Sequence, residues 1–144
     1  MTQLLLMCRI AGRQAAIPAT RVKSVIEIEA ITPIPATPDF IVGLTALRSQ
    51  ALTVIDCRRA LGFERGTVER GTRAAVVEVE GHLYALAVDE AHDVVEASGE
   101  PLPVSGGLGA GWQRAALGMV ETALGPAVLI DIEKLVQGPL AEAA

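Results

Sequence analysis

The sequence predicts an all-β protein of two packed five-stranded barrels with one or two short helices. Three observations carry this: ten short apolar or β-branched runs set off by Gly and Pro, an internal repeat, and no sustained 3.6-residue period. In the first half the strand candidates are "LLLMCRI", "AAIP", "VKSVIEI", "IVGLTAL" and "ALTVID". In the second they are "RAAVVEV", "LYALAV", "DVVEA", "ALGMVE" and "AVLIDI". Short runs without long helices between them favour small antiparallel barrels over parallel βαβ units.

The repeat sets the organisation. "AGRQAAIPATRVKSVIE" aligns with "EGHLYALAVDEAHDVVE", matching Gly12 with Gly81, Val25 with Val94 and Glu27 with Glu96. "GLTALRSQALTVID" aligns with "GMVETALGPAVLID", matching Gly43 with Gly118 and Asp56 with Asp131. Between these matches a Pro-rich connection, "ITPIPATPDF", stands where the second half has the longer Gly-rich "PLPVSGGLGAGW". The chain therefore reads as one domain, 1–144, with subdomains at about 1–66 and 67–144. Helices are expected after Asp56 ("CRRALG") and Asp131 ("IEKLVQG"). Each begins at a carboxylate suited to capping free backbone N–H groups and ends at a glycine that takes positive φ without strain.

Composition narrows the function classes. With 144 residues, 51% of them apolar, the chain can bury a core and does not read as disordered. It has no apolar run long enough to span a bilayer, and no basic segment precedes its N-terminal apolar run, so a soluble cytoplasmic protein without a signal peptide is expected. Cys8 and Cys57 lie inside apolar runs and read as reduced, buried thiols. Aromatics are only 3% and no basic stripe occurs, which argues against nucleic acid as a partner. Residues 1–66 carry net +3 and residues 67–144 net −8, so each half is expected to meet a surface of opposite sign.

Catalytic signals are weak. "DEAHD" supplies Asp89, Glu90, His92 and Asp93, and a small metal-dependent enzyme using Asp89, His92 and Asp93 is one alternative reading. Its repeat counterpart "TRVKS" places Arg21 and Lys23 on the same backbone, and successive side chains of a strand point to opposite faces, so no metal site is expected. The run "GGLGAG", Gly106 to Gly111, resembles a phosphate-binding loop, but a strand rather than a helix N-terminus is expected after it. There is no Gly-x-Ser-x-Gly elbow and no Walker lysine, so neither an enzyme nor a cofactor is implied. A second alternative is a structural protein that self-assembles through strand edges.

The order "ITPIPATPDFIVGLTALRSQALTVIDCRRALG", then "VVEVEGHLYALAVDEAHDVVE", then "VLIDIEKL", closely resembles the CheW-like family of chemotaxis coupling proteins, from about Leu4 to Val136. The resemblance implies two packed SH3-like barrels and a free-standing adaptor without catalysis or cofactor. It implies two partners, the cytoplasmic tip of a chemoreceptor (a methyl-accepting chemotaxis protein) and the regulatory domain of a CheA-type histidine kinase. The protein would be cytoplasmic, held at membrane-associated arrays through those partners and not inserted in the membrane itself. By the same resemblance the receptor-binding positions are Val22, Val25, Ala91 and Val94 in the groove between barrels, flanked by Arg48. Kinase binding falls around Ile41 and Gly43 of the first barrel. Small apolar side chains suit a helix-in-groove floor, and an arginine suits a carboxylate or helix-end carbonyls. By residue type alone, the three valines and Ala91 fit an ordinary core as well. The sequence departs from the family pattern at Ser49, where a glycine is usual, and at Thr53, commonly a proline. Ser49 is expected to alter the turn after Arg48, since serine tolerates positive φ poorly.

Overall fold

The computed structural model describes residues 2–104 and 107–138. Gly106 of the Gly-rich run and the outermost residues of both expected subdomains lie outside them. Ten strands are present: β1 (Thr2–Ile10), β2 (Arg13–Pro18), β3 (Val22–Glu27), β4 (Ile41–Leu47), β5 (Gln50–Asp56), β6 (Arg73–Val79), β7 (His82–Ala87), β8 (Glu90–Ser98), β9 (Ala116–Thr122) and β10 (Gly125–Ile130). Each coincides with one of the expected runs.

Turn chemistry follows the repeat. Ala11 and Gly12 between β1 and β2 have φ of 52° and 79°, and Glu80 and Gly81 between β6 and β7 have 51° and 83°. Two consecutive positive values make the two-residue turn whose twist matches a β-hairpin. Arg48 and Ser49, between β4 and β5, adopt φ of 52° and 72°. The missing glycine therefore leaves the left-handed pair in place and puts Ser49 into it, contrary to expectation.

The described residues also form three short α-helices, α1 (Cys57–Ala60), α2 (Ala110–Ala115) and α3 (Ile132–Gln137). Asp56 accepts from the Arg59 N–H at 3.3 Å and from the Gly66 N–H at 2.9 Å, while Asp131 accepts from the Lys134 N–H at 3.2 Å. Both capped helices were expected. The helix α2 was not, and it follows the Gly-rich run where a strand was anticipated. Trp112 and Ala115, one turn apart and both buried, anchor it to the core. Gly111 lets its backbone approach the Leu61 carbonyl, a space that a Cβ would overlap.

The strands form two sheets, ordered β8-β1-β2-β10-β9 and β3-β6-β7-β5-β4. Exchanging every strand for its repeat mate turns one order into the other. Each sheet takes two strands from one repeat and three from the other, so the repeats at 1–66 and 67–144 are units of sequence and do not correspond to separate sheets. Four pairings join the halves: the antiparallel pairs β1 with β8 and β3 with β6, and the parallel pairs β2 with β10 (Ala15↔Val128, Ala16↔Leu129) and β5 with β7 (Thr53↔Tyr84 through Asp56↔Ala87). Sequence-adjacent pairing accounts only for the hairpins.

Both sheets curl, because side chains from all five strands of each pack together on one face. Leu5, Met7, Ala16, Ala97, Val120 and Leu129 do so in the first, and Ile26, Val42, Leu52, Val76 and Ala85 in the second. No strand pairing closes either ring among the described residues, so these are curled open sheets rather than closed barrels. A larger apolar layer lies between the sheets, with Leu6, Cys8 and Ile17 on one side, Ile55, Val77 and Leu86 on the other, and Trp112, Ile132 and Leu135 from the helices. Gly43 and Gly118 hold equivalent places where a connecting segment bridges the sheet, Thr32 to Leu44 and Leu102 to Met119. A Cβ on Gly43 would overlap the Thr32 carbonyl, and one on Gly118 would come within 2.7 Å of the Leu102 oxygen.

Two expectations follow. Ser49→Gly should stabilise the protein by about 0.5–1 kcal/mol in urea unfolding, because glycine removes the left-handed penalty at that turn but adds unfolded-state entropy; a loss of stability would contradict the turn assignment. A fragment of residues 1–66 has β1-β2, β4-β5 and β3 with no strand to join them, and isolated hairpins are marginal in water. It should be unfolded by circular dichroism alone and gain β structure when mixed with 67–144, whereas a cooperative melt of 1–66 by itself would refute the interlocked arrangement.

Candidate functional site

The edge strands β3 and β8 are repeat mates and carry the expected receptor positions. A three-residue spacing such as Val22 to Val25 normally puts side chains on opposite faces of a strand. Here β3 is irregular between Val22 and Ser24, with Val22 opposite Val77 and Val25 opposite Ala75. The extra residue brings both valines to the face that carries the inter-sheet layer. β8 repeats the device, with Ala91 opposite Cys8, Val94 opposite Leu6, and an irregularity between. Val22 and Ala91 pack against that layer, while Val25 and Val94 are 38% and 51% exposed. The strand β8 lies against β6 of the other sheet, and β1 against the 3-10 turn at Ala19–Arg21 that leads into β3. These four residues therefore share the inter-sheet side of their edge strands, partly rooted in the core and partly open.

Arg48 meets β3 at Lys23 and Ser24, between the two valines in sequence. It lines a recess of about 350 Å³ at the end of the second sheet, with Lys23, Ser24, Leu47, Val76, Glu78 and Leu83. Its side chain is exposed and makes no ion pair or side-chain hydrogen bond among the described residues. Ile41 is half-buried at the start of β4 and packs on the inter-sheet layer, and Gly43 is buried beneath Thr32. One exposed residue was not singled out from sequence: Leu4, 52% exposed, directly across from Glu96 and beside Val94. Its signal was an apolar residue whose repeat mate is Arg73.

Among the described residues, only Asp89 of "DEAHD" has an ion-pair partner outside the cluster. Asp89 pairs with Arg58 at 3.2 Å and Glu90 with His92 at 3.2 Å. Among the described residues no three His, Cys, Asp or Glu side chains are grouped to hold an ion, so the geometry does not assemble the alternative site at Asp89, His92 and Asp93. Burial pushes the Cys8 thiol up to about 12, with Asp89 adding to it, and pushes Cys57 well above the usual thiol range. Neither is a ready nucleophile.

The charge contrast between halves is used largely inside the molecule. Arg21 of the first half binds Glu133 of the second at 2.6 Å, Lys23 binds Glu78 at 3.2 Å, and Arg58 binds Asp89. Two of these are equivalent clasps with reversed sign, since Arg58 in α1 and Glu133 in α3 each fasten the corner before an edge strand. Because the strands interleave, acidic Glu78 shares a sheet with Lys23 and basic Arg9 shares one with Glu90. The net charges of the two halves are therefore not segregated by sheet.

The CheW-like domain family model matches residues 4–139. The chemotaxis protein CheW of Treponema pallidum (strain Nichols) is 25% identical over 122 residues, covering 79% of this chain and 70% of that protein. CheW of Bacillus subtilis (strain 168) is 30% identical over 86 residues, 60% of this chain and 55% of that one. Protein FrzA of Myxococcus xanthus is 28% identical over 81 residues, 56% and 51% of the two chains. The crystal structure of the scaffolding protein TtCheW from Thermoanaerobacter tengcongensis superposes with a TM-score of 0.74 at 25% identity, covering 90% of this chain and 89% of that one.

The Arg21 clasp has a pH signature. Hydrogen bonding from Arg21 holds the Glu133 carboxyl below its usual range. A lowered folded-state pKa contributes stability that is fully present above the unfolded glutamate value of about 4.3 and is lost as pH falls through the folded value. Arg21→Ala should return the Glu133 midpoint to the ordinary range in a carboxyl NMR titration. A midpoint that does not move would remove the clasp as its cause.

Proposed function

The chain belongs to the CheW-like domain family, and we propose that it is a non-catalytic adaptor coupling chemoreceptor tips to the regulatory domain of a CheA-type histidine kinase. The family match from 4 to 139 carries this reading, and similarity to chemotaxis and scaffolding proteins over most of the chain supports a scaffold role. The half-exposed valines Val25 and Val94, each beside a residue rooted in the core (Val22, Ala91), suit a receptor helix that lays an apolar stripe on an edge strand. Arg48, without an ion pair among the described residues and beside a recess lined by both polar and apolar side chains, suits a partner carboxylate or the carbonyls at a helix end. The kinase would meet the β4 side near Ile41, where Gly43 contributes by admitting the Thr32 segment beneath the strand rather than by touching the partner. Among the described residues no helix is long and apolar enough to cross a membrane, so a place at receptor arrays would come through the partners.

Binding of the purified chain to a soluble chemoreceptor tip and to the isolated kinase regulatory domain tests this directly. Arg48→Glu should leave the melting temperature almost unchanged, with a stability change of at most about 0.5–1 kcal/mol, as for exposed positions in general. It should weaken one partner by about 1–2 kcal/mol, roughly five- to thirtyfold. Unchanged affinity for both partners would exclude Arg48 from either interface, and a collapsed melt would assign it to the fold.

A further inference from the structure

We propose that Glu96 reads charge on the β8 docking face, and that the receptor helix seated on Leu4 and Val94 presents a lysine or arginine to it; this rests on the adaptor reading above. Glu27 and Glu96 are repeat mates at the same place on edge strands β3 and β8. Across from Glu27 stands Arg73, and the two form an ion pair at 3.5 Å. Across from Glu96 stands Leu4, so the cation that serves one repeat is replaced by an apolar side chain in the other. Glu96 is exposed and has no ion pair among the described residues. Its neighbours Leu4 and Val94 are 52% and 51% exposed on the same face, since Leu4 and Leu6 share one side of β1.

Any partner that covers Leu4 and Val94 also removes water from Glu96. A carboxylate that loses water without gaining a charge or hydrogen-bond partner is penalised, and a basic side chain on the occupant removes the penalty. Residues two apart on a strand are about 6.6 Å from each other, close to the 5.4 Å pitch of a helix. The occupant is therefore an amphipathic helix with its basic residue about one turn from the apolar residue that meets Val94. On the β3 side Arg73 already neutralises Glu27, so that edge makes no such demand.

The test uses the full chain and a soluble helical-hairpin fragment of a chemoreceptor cytoplasmic tip, with each Lys or Arg of the fragment changed singly to Glu. Glu96→Arg should weaken binding of the parent fragment by about tenfold and flatten its dependence on salt, as expected for a charge at an interface rim. One Lys/Arg→Glu fragment should bind the Glu96→Arg protein better than the parent fragment does. Val94→Glu reports on the docking face itself, and melting temperatures of all variants are measured alongside. If Val94→Glu abolishes binding while Glu96→Arg binds as wild type, the charge-reading role is overturned and the adaptor reading stands. If the fragment fails to bind the wild-type chain, the adaptor reading falls and this role with it. Self-association abolished by Glu96→Arg in sedimentation would give the face to a second copy of the chain and likewise overturn the proposal.

Discussion

The apolar layer between the two sheets is the contact on which the rest of the molecule depends. Each sheet gives it one face, and each face is assembled from both repeats: Cys8 and Ile17 come with Val128 and Ile130, and Ile55 comes with Val77 and Leu86. Burying a side chain of that size contributes about 1.5–3 kcal/mol, whereas an exposed ion pair contributes about 0–1 kcal/mol. The layer, then, sets the arrangement of the sheets, and the clasps from Arg58 and Glu133 tune its rim. The capped helices α1 and α3 belong to the same layer, since Cys57, Ala60, Ile132 and Leu135 all face it.

Where the layer reaches the edge strands, the interior becomes a surface. Irregularities in β3 and β8 keep Val22 with Val25, and Ala91 with Val94, on the core side, so the inner member of each pair is held by packing while the outer one is open. Open strand edges also invite pairing with other chains, a hazard that charged side chains on the edge reduce. β3 carries Lys23 and Glu27, and β8 carries Glu90, Asp93 and Glu96. Such edges disfavour strand-to-strand assembly and leave side-chain docking on the flanking face available. That physical preference weighs against strand-to-strand pairing at β3 and β8.

Much of the fold was legible because its determinants are local. All ten strands follow runs of apolar and β-branched residues, and α1 and α3 follow an aspartate cap that the backbone N–H of Arg59 and Lys134 does use. The interleaving was not legible, because a repeat reveals which strands are equivalent and says nothing of which are neighbours. The deciding pairs, β2 with β10 and β5 with β7, join segments far apart in sequence. The helix α2 escaped because glycines precede it, and its stability comes from the burial of Trp112 rather than from helix propensity. At the candidate site, a period of two would have separated Val22 from Val25; the irregularity that reunites them leaves no mark on the residue types. Arg48 was legible as an exposed turn residue, and the recess it shares with Lys23 and Ser24 of β3 was not.

At buried and turn positions, what the repeats share is what the fold requires, and a difference between them is a place to look for function. Gly43 and Gly118 agree, and so do Asp56 and Asp131; each has a structural partner that explains it. The β4-β5 and β9-β10 turns disagree. In the latter, the Thr122 hydroxyl accepts from the Leu124 N–H at 3.0 Å and donates to the Gly125 carbonyl at 2.8 Å, with a glycine at positive φ. That turn satisfies itself. In the former, two non-glycine residues hold left-handed conformations, at about 1–2 kcal/mol each, with no side-chain bond from Arg48 among the described residues in return. Strain retained without local compensation is the kind that persists when a site has use for its geometry. Leu4 facing Glu96, where Arg73 faces Glu27, is the other such departure, and it too lies on a surface.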